Sequence, residues 1–298
     1  MNNVDIPWRR AVVSVDQFSR SDIDEIFALA ARLSVGRTMP LTGKSIVNLF
    51  YEPSTRTSSS FYAAMTKLGG SVIPINEVNY SSVTKGESLE DTIRTLECYA
   101  DALVLRHYDE DATERAVSVA SVPIINAGNG AGEHPTQALL DLYTISKERG
   151  HIDGLTVTLM GDLKHGRTVH SLVKLLRMYD VKVQFVSPPE LSLPRPYLVK
   201  EDTEYTDLEA VIDDTDILYV TRVQKERLSD SVAIDFSYAV TQSDMDRAKD
   251  EMVLMHPLPR VGEIPSELDS DPRAAYFRQM KYGLHVRMAL LVSMIGRD

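Results

Sequence analysis

The feature that most constrains this chain is an alternation of short apolar runs with helix-patterned segments, sustained along the whole sequence. The runs "SIVNLFY", "GSVIPIN", "ADALVLRH" and "VPIINAG" occupy the first half, and "LTVTLMGDL", "VKVQFVSP", "DILYVTR" and "EMVLMHP" the second. They are short, apolar or β-branched, and end in polar or turn residues, the pattern of parallel strands buried on both faces. Helical patterns separate them. In "SFYAAMTKLGG", Phe61, Ala64, Met65 and Leu68 fall on one face ahead of a Gly-Gly stop, and "PTQALLDLYTISKERG" carries proline at its start and glycine at its end. Strand, helix, strand throughout predicts an α/β fold with mostly parallel sheets.

With 298 residues, 43% of them hydrophobic, the chain favours two domains over one. A fresh strand follows the turn cluster "GHIDG" at 150–154, so a boundary is expected within or just after the helix at 135–149. The last segment, "YGLHVRMALLVSMIGRD", is apolar on most sides, more than a surface helix needs, and is expected to pack across domains. No apolar run reaches the roughly 18 residues that a bilayer crossing takes, and the first residues lack the apolar core of a signal peptide, so a cytoplasmic location is expected. The only cysteine, Cys98, excludes an internal disulfide and a multi-cysteine metal site. Its neighbours, "TLECYADALVL", predict a small buried apolar residue. A net charge of −11 argues against broad binding to nucleic acid or anionic membranes, and makes any local gathering of arginines informative.

One such place is "FYEPSTRTSSSF". A parallel strand running into this turn and then into a helix sets first-turn N–H groups at the carboxyl edge of the sheet, where open α/β sheets bind ligands. Those N–H groups, the helix dipole, the hydroxyls of Ser54, Thr55 and Thr57, and the Arg56 guanidinium together suit a phosphate. The other reading is a Ser54 N-cap with a solvated first turn. Two more strand ends carry donors: Arg106 closes "ALVLRH", and "IINAGNGAGEHPTQALLD" leads through a glycine-rich loop to His134, Thr136 and Gln137. Taken singly, an arginine such as Arg106 is more often a surface ion-pair partner, and a histidine such as His134 more often a helix-start hydrogen-bonding residue than a catalyst. Their convergence on one sheet edge favours an anion site. Long polar stretches at 76–91 and 221–246 bring further cations flanked by hydroxyls or amides.

The segments "FYEPSTRTSSSF", "SVTKGESLEDT", "VLRH", "GEHPTQALLDLYTI", "GDLKHGRTVHSL", "TRVQKER" and "HPLPR", in this order, resemble the catalytic chain of the aspartate carbamoyltransferase family. The resemblance implies two similar-sized three-layer αβα domains joined by interdomain helices. Residues 1–134 with a C-terminal helix at 284–298 would bind carbamoyl phosphate, 135–149 would be the linking helix, and 150–283 would bind L-aspartate. It implies carbamoyl transfer to the aspartate amino group without metal or cofactor. Ser54, Thr55, Arg56 and Thr57 would hold the phosphate, and Arg106 would bridge phosphate and carbonyl oxygen with help from His134 and Thr57. Gln137 and the backbone at Leu258 and Pro259 would recognise the carbamoyl amide. Arg167, Arg222 and Gln224 would take the aspartate carboxylates. Ser81 and Lys85 would enter the site of a neighbouring subunit, so a homotrimer with shared sites is implied. Glu52, Arg167 and Arg227 would link the domains on closure. A regulatory chain or dihydroorotase as a further partner is left open. The sequence departs from some members at Pro53, where others carry a small residue, and at His165, where others carry tyrosine.

Three other readings compete. Ornithine carbamoyltransferases share the phosphate turn and "HPTQ", but resemble H-C-L-P where this chain has "HPLP", and an arginine pair would repel ornithine's cationic side chain. A dehydrogenase would need a G-x-G-x-x-G after a strand, and "LMGDLKHGRT" has the wrong glycine spacing. A non-catalytic scaffold of the same fold would be expected to have lost some of these residues.

Overall fold

The apolar runs form two separate five-stranded sheets in which every strand pair is parallel. The structure, a computed structural model, describes residues 7–36, 38–76, 86–130, 132–223 and 238–296. It divides into two compact units, Met1–Leu140 with Tyr282–Asp298, and Asp141–Lys281.

The first unit holds β1 (Ala11–Val12), β2 (Ser45–Phe50), β3 (Ser71–Ile75), β4 (Ala102–His107) and β5 (Ile124–Asn129), in the order β1-β5-β4-β2-β3. Its helices include α1 (Arg20–Val35), α2 (Thr55–Lys67), α3 (Leu89–Leu96) and α4 (Ala112–Val119). Alternate residues of each strand face opposite layers. Val47, Leu49, Leu103 and Leu105 are buried with Leu89 and Ile93 of α3 and Ala112 and Ala116 of α4. On the other face the Asn48 amide donates to the Ser58 carbonyl of α2 at 3.0 Å. Phe61, Ala64, Met65 and Leu68 are fully buried, as their spacing predicts, and Gly69, with φ 86°, ends the helix.

The second unit holds β6 (Thr156–Met160), β7 (Lys182–Val186), β8 (Thr203–Tyr205), β9 (Ile217–Val220) and β10 (Val253–Met255), in the order β10-β9-β6-β7-β8. Leu218 and Val220 of β9 pack with Leu254, with Met245 of α7 (Gln242–Arg247) and with Tyr276. Tyr219, between them, turns to the opposite face and donates to Asp141 at 2.8 Å. Besides α6 (Arg167–Leu176), the chain forms α5 (Pro135–Arg149) and α8 (Tyr276–Ile295), and it passes between the units within these last two. Among the described residues no helix is long and apolar enough to cross a membrane.

The edge strands β1 and β8, of two and three residues, went unread. Two expectations are corrected. The run "GSVIPIN" forms β3, but at the edge of its sheet it stays largely exposed rather than buried on both faces. Cys98 is exposed, not buried. It lies in a turn just beyond α3, its N–H bonded to the Thr95 carbonyl at 3.3 Å, so its side chain turns outward despite apolar neighbours in sequence.

Candidate active site

In the first sheet the chain leaves β2 toward β3 on one side, while β4 leads to β5 on the other. Right-handed crossovers place the connecting helices on opposite faces, so a crevice opens at the carboxyl ends of β2 and β4. The turn after β2 fills one side of it. Ser54 holds the N-cap position of α2 in an extended conformation, φ −153° and ψ 92°, yet its hydroxyl makes no capping hydrogen bond. Elsewhere the same residue types do cap: Ser19, Ser88 and Thr241 each accept the N–H three residues on. The plain N-cap reading of Ser54 therefore loses its expected hydrogen bond. Thr55 and Arg56 are exposed, and Thr57 is buried beneath them.

Arg106 lies opposite Phe50 in the parallel register. Its Nε donates to Glu52 Oε2 at 3.1 Å, with both side chains largely covered. This ion pair joins the ends of β2 and β4 and orients the guanidinium. His107, next in the strand, has its imidazole pKa lowered by burial, which favours the neutral ring beside Arg106.

The loop after β5 brings in the third strand end. The Asn126 amide donates to the Val13 carbonyl at 2.9 Å, and its oxygen accepts from Gly128 N–H at 2.8 Å. Asn129 accepts from Glu133 N–H, and Glu133 in turn accepts from Ser14 Oγ and Val15 N–H, each at 2.9 Å. Gly130, at φ 44°, has no room for a side chain, because a Cβ would stand 2.3 Å from the Tyr108 carbonyl oxygen. This framework delivers His134 and Gln137, both buried, to the start of α5, where Pro135 takes the first helical position. Glu52, Ser54 to Thr57, Arg106, His134 and Gln137 thus come from three adjacent strand ends of one unit.

The second unit repeats the arrangement at the ends of β6 and β9. Gly161, with φ 116°, lets them meet, since a Cβ there would lie 2.2 Å from the Thr221 carbonyl oxygen. Asp162 is fully buried and accepts from His165 N–H at 3.0 Å, with His165 Nδ1 at 3.1 Å, shaping the turn into α6. Arg167 opens that helix, and Arg222 follows Thr221 beyond β9.

"HPLPR" follows β10. Leu258 has φ 54°, a left-handed backbone that costs a leucine about 1 to 3 kcal/mol unless neighbours hold it. They do. Leu258 N–H donates to His256 Nδ1 at 2.8 Å, and His256 Nε2 lies 2.8 Å from Glu263 Oε1. The Glu263 carboxyl stays below its usual range: burial pushes it up, but hydrogen bonds from His256 and from backbone N–H groups outweigh that. His256 N–H donates to Gln279, and Gln279 to Asp141, at 3.0 and 2.6 Å. Burial and the neighbouring Asp141 carboxylate raise the Tyr219 phenol well above its ordinary value, so it remains a donor to that acid.

Ser81, Lys85, Gln224 and Arg227 lie outside the described residues. Asp141, Asp162, Glu263 and Gln279 escaped the sequence reading, and His256 was noted only as part of a motif. The signal available for them was indirect: polar residues set in otherwise apolar strand ends and helices.

Fold and site together define a two-unit, parallel-sheet α/β protein with hydroxyl and cationic donors gathered at a topological switch point. Residues 10–147 match the aspartate/ornithine carbamoyltransferase carbamoyl-P binding domain, and residues 153–294 the Asp/Orn binding domain. The chain belongs to the aspartate/ornithine carbamoyltransferase family. It is 49% identical over 300 residues to the aspartate carbamoyltransferase catalytic subunit of Thermoplasma volcanium, covering 96% of this chain and 98% of that one. It is 51% identical over 299 residues to the multifunctional protein pyr1-3 of Dictyostelium discoideum, covering 96% of this chain but spanning only 13% of that protein's length. The crystal structure of aspartate transcarbamoylase from Trypanosoma cruzi in complex with carbamoyl phosphate and aspartate superposes with a TM-score of 0.90 at 46% identity, covering 96% of this chain and 97% of that one.

Proposed function

We propose that this chain transfers the carbamoyl group of carbamoyl phosphate to the α-amino group of L-aspartate, giving N-carbamoyl-L-aspartate and phosphate, an early committed step of pyrimidine synthesis. The observation that carries this reading is the convergence of hydroxyls, cations and an uncapped helix start at the ends of β2, β4 and β5. The Trypanosoma cruzi relative, crystallised with both substrates, supports it.

The amine lone pair attacks the carbamoyl carbon, a C–N bond forms, and the C–O bond to phosphate breaks as the amine gives its proton to the departing phosphate. Carbamoyl phosphate is already an activated mixed anhydride, so the chemistry asks for no metal or organic cofactor. Negative charge grows on the carbonyl oxygen, where Arg106, His134 and Thr57 donate, and on the departing phosphate, held by Ser54, Thr55, Arg56 and Thr57. Gln137 and the backbone at Leu258 and Pro259 take the carbamoyl NH2. Arg167, Arg222 and Gln224 take the aspartate carboxylates, for which planar guanidinium groups suit bidentate pairing. The roles of Ser81 and Lys85 from a neighbouring subunit, and of Glu52, Arg167 and Arg227 in closure, follow the resemblance and complete a cytoplasmic homotrimer with shared sites. Closure would exclude water during transfer.

Incubating the purified chain with carbamoyl phosphate and either aspartate or ornithine tests the reaction. Carbamoyl aspartate alone is expected. A carbamoyl ornithine product would overturn the acceptor assignment, and no product with either acceptor would favour the scaffold reading. Shared sites have their own test: Lys85→Ala and Arg106→Ala chains, each inactive, should regain activity when mixed and allowed to exchange subunits. Continued inactivity after proven exchange argues against them.

A further inference from the structure

The loop after β10 owes its shape to a polar chain that the reaction scheme leaves unused. We propose that His256 and Glu263 are positioning residues, which hold the Leu258 and Pro259 backbone in the one conformation that discriminates the carbamoyl amide from other acyl groups. The inference rests on the reading above that this backbone meets the amide.

The argument begins with proton bookkeeping on one ring. Leu258 N–H points at His256 Nδ1 at 2.8 Å, so Nδ1 must accept and carries no proton. The proton then sits on Nε2 and is donated to Glu263 Oε1 at 2.8 Å. Glu263 uses its other oxygen to accept Val261 N–H at 2.9 Å. One largely covered carboxylate thereby fixes both the tautomer of His256 and the far side of the loop. A protonated imidazole would set two N–H groups against each other at Leu258.

The anchor of this clamp is deeper still. His256 N–H is bonded to Gln279 of α8, Gln279 to Asp141 of α5, and Asp141 to Tyr219 of β9. All four side chains are buried. Leu258 is the only non-glycine described residue with positive φ. A backbone that unfavourable persists only where its surroundings over-determine it, and such positions gather at ligand sites. A purely structural loop would meet no such demand. A carbonyl that must accept from a small planar NH2 does, because aim decides whether the hydrogen bond forms.

Two substitutions separate positioning from mere stability. In His256→Asn the amide oxygen can stand in for Nδ1 and still accept Leu258 N–H. His256→Gln places its amide near Nε2 instead and abandons Leu258. The readouts are KM for carbamoyl phosphate and the inhibition constants of inorganic phosphate and acetyl phosphate, which has a methyl group in place of the amide nitrogen. For His256→Gln the carbamoyl phosphate KM is expected to rise about tenfold while both inhibition constants hold, and His256→Asn is expected to stay within about threefold of the unsubstituted chain. Equal weakening of all three ligands, or no difference between the two variants, overturns the proposal.

If His256→Gln does not fold, Glu263→Gln carries the test, since it keeps the size of the side chain but leaves one acceptor for two donors, His256 Nε2–H and Val261 N–H. A rise confined to carbamoyl phosphate supports the proposal, and unchanged selectivity overturns it. If the unsubstituted chain binds acetyl phosphate as well as carbamoyl phosphate, the amide reading of Leu258 and Pro259 fails, and this inference with it.

Discussion

In the first unit β2 is flanked by β3 and β4, and in the second β6 is flanked by β7 and β9. The fifth strand then joins opposite edges, β1 beside β5 in one and β8 beside β7 in the other. Both units therefore own a switch-point crevice between corresponding strands, and connectivity alone puts it there. What fills the crevice differs. After β2 stand hydroxyls and Arg56 on a helix whose cap serine does not cap. After β6 stands a glycine pressed against Thr221 and a buried aspartate that folds the turn toward Arg167. The third strand ends make the contrast sharper, since each leads to a His-Pro pair, across a four-residue loop after β5 and directly after β10. His134-Pro135 starts a helix, with proline at its first position. His256-Pro257 is followed by Leu258 at positive φ and a second proline, and remains a loop that presents backbone groups. The topology assigns the place and the loops assign the ligand.

Substitutions in corresponding places should break the two units apart functionally. The largest effect is expected at Arg56: Arg56→Ala should lower kcat/KM by about 100- to 1000-fold, as loss of a preorganised charged donor does. Near-normal turnover would refute its place as the phosphate clamp. Arg222→Ala should raise KM for aspartate by about 30-fold or more, since a carboxylate loses a charged partner, while KM for carbamoyl phosphate moves little. A shift in both would erase the distinction between the units. Asp141→Asn should cost about 2 kcal/mol of stability in denaturant unfolding, because the buried charged acceptor is lost and the Tyr219 hydroxyl must turn from donor to acceptor if the amide oxygen is to keep the Gln279 hydrogen bond. The smallest effect is on acid stability. Hydrogen bonds from Arg260 and Tyr276 hold the Asp269 carboxyl at about 2, against an ordinary 3.8. Its folded value lies below the unfolded one, so its contribution is complete above 3.8 and is lost as pH falls through about 2. The side chain is 35% exposed, so solvent screening keeps the contribution small. In acid titration Asp269→Asn should flatten that limb, and an unchanged curve would deny the ion pair any role.

Most of the long strands were legible because they bury both faces, leaving runs such as "IVNLF" and "ILYV", whereas β3, also read from its apolar run, lies at the sheet edge and stays largely exposed. Two short edge strands left no such trace: Ala11–Val12 and Thr203–Tyr205 gain their identity from their partners in the sheet, whereas the equally short edge strand β10 is buried throughout and was readable from its apolar run. Cys98 misled for a related reason, since apolar neighbours along the chain say nothing about which way a turn residue points. Arg56, Arg106 and Arg167 stood out because cations at strand ends or helix starts are conspicuous in an acidic chain. The polar supports did not, because their meaning lies in pairings remote in sequence. Arg106 meets Glu52 across 54 residues and Gln279 meets Asp141 across 138.

The central claim is a division of labour, phosphate to the first unit and aspartate to the second. Titrating inorganic phosphate into the unsubstituted chain, Arg56→Ala and Arg222→Ala tests it most directly, because phosphate carries neither the amide nor the amino acid. The account predicts that Arg56→Ala weakens phosphate binding by about tenfold or more, while Arg222→Ala leaves it unchanged. Equal losses in the two variants, or a loss confined to Arg222→Ala, would contradict it.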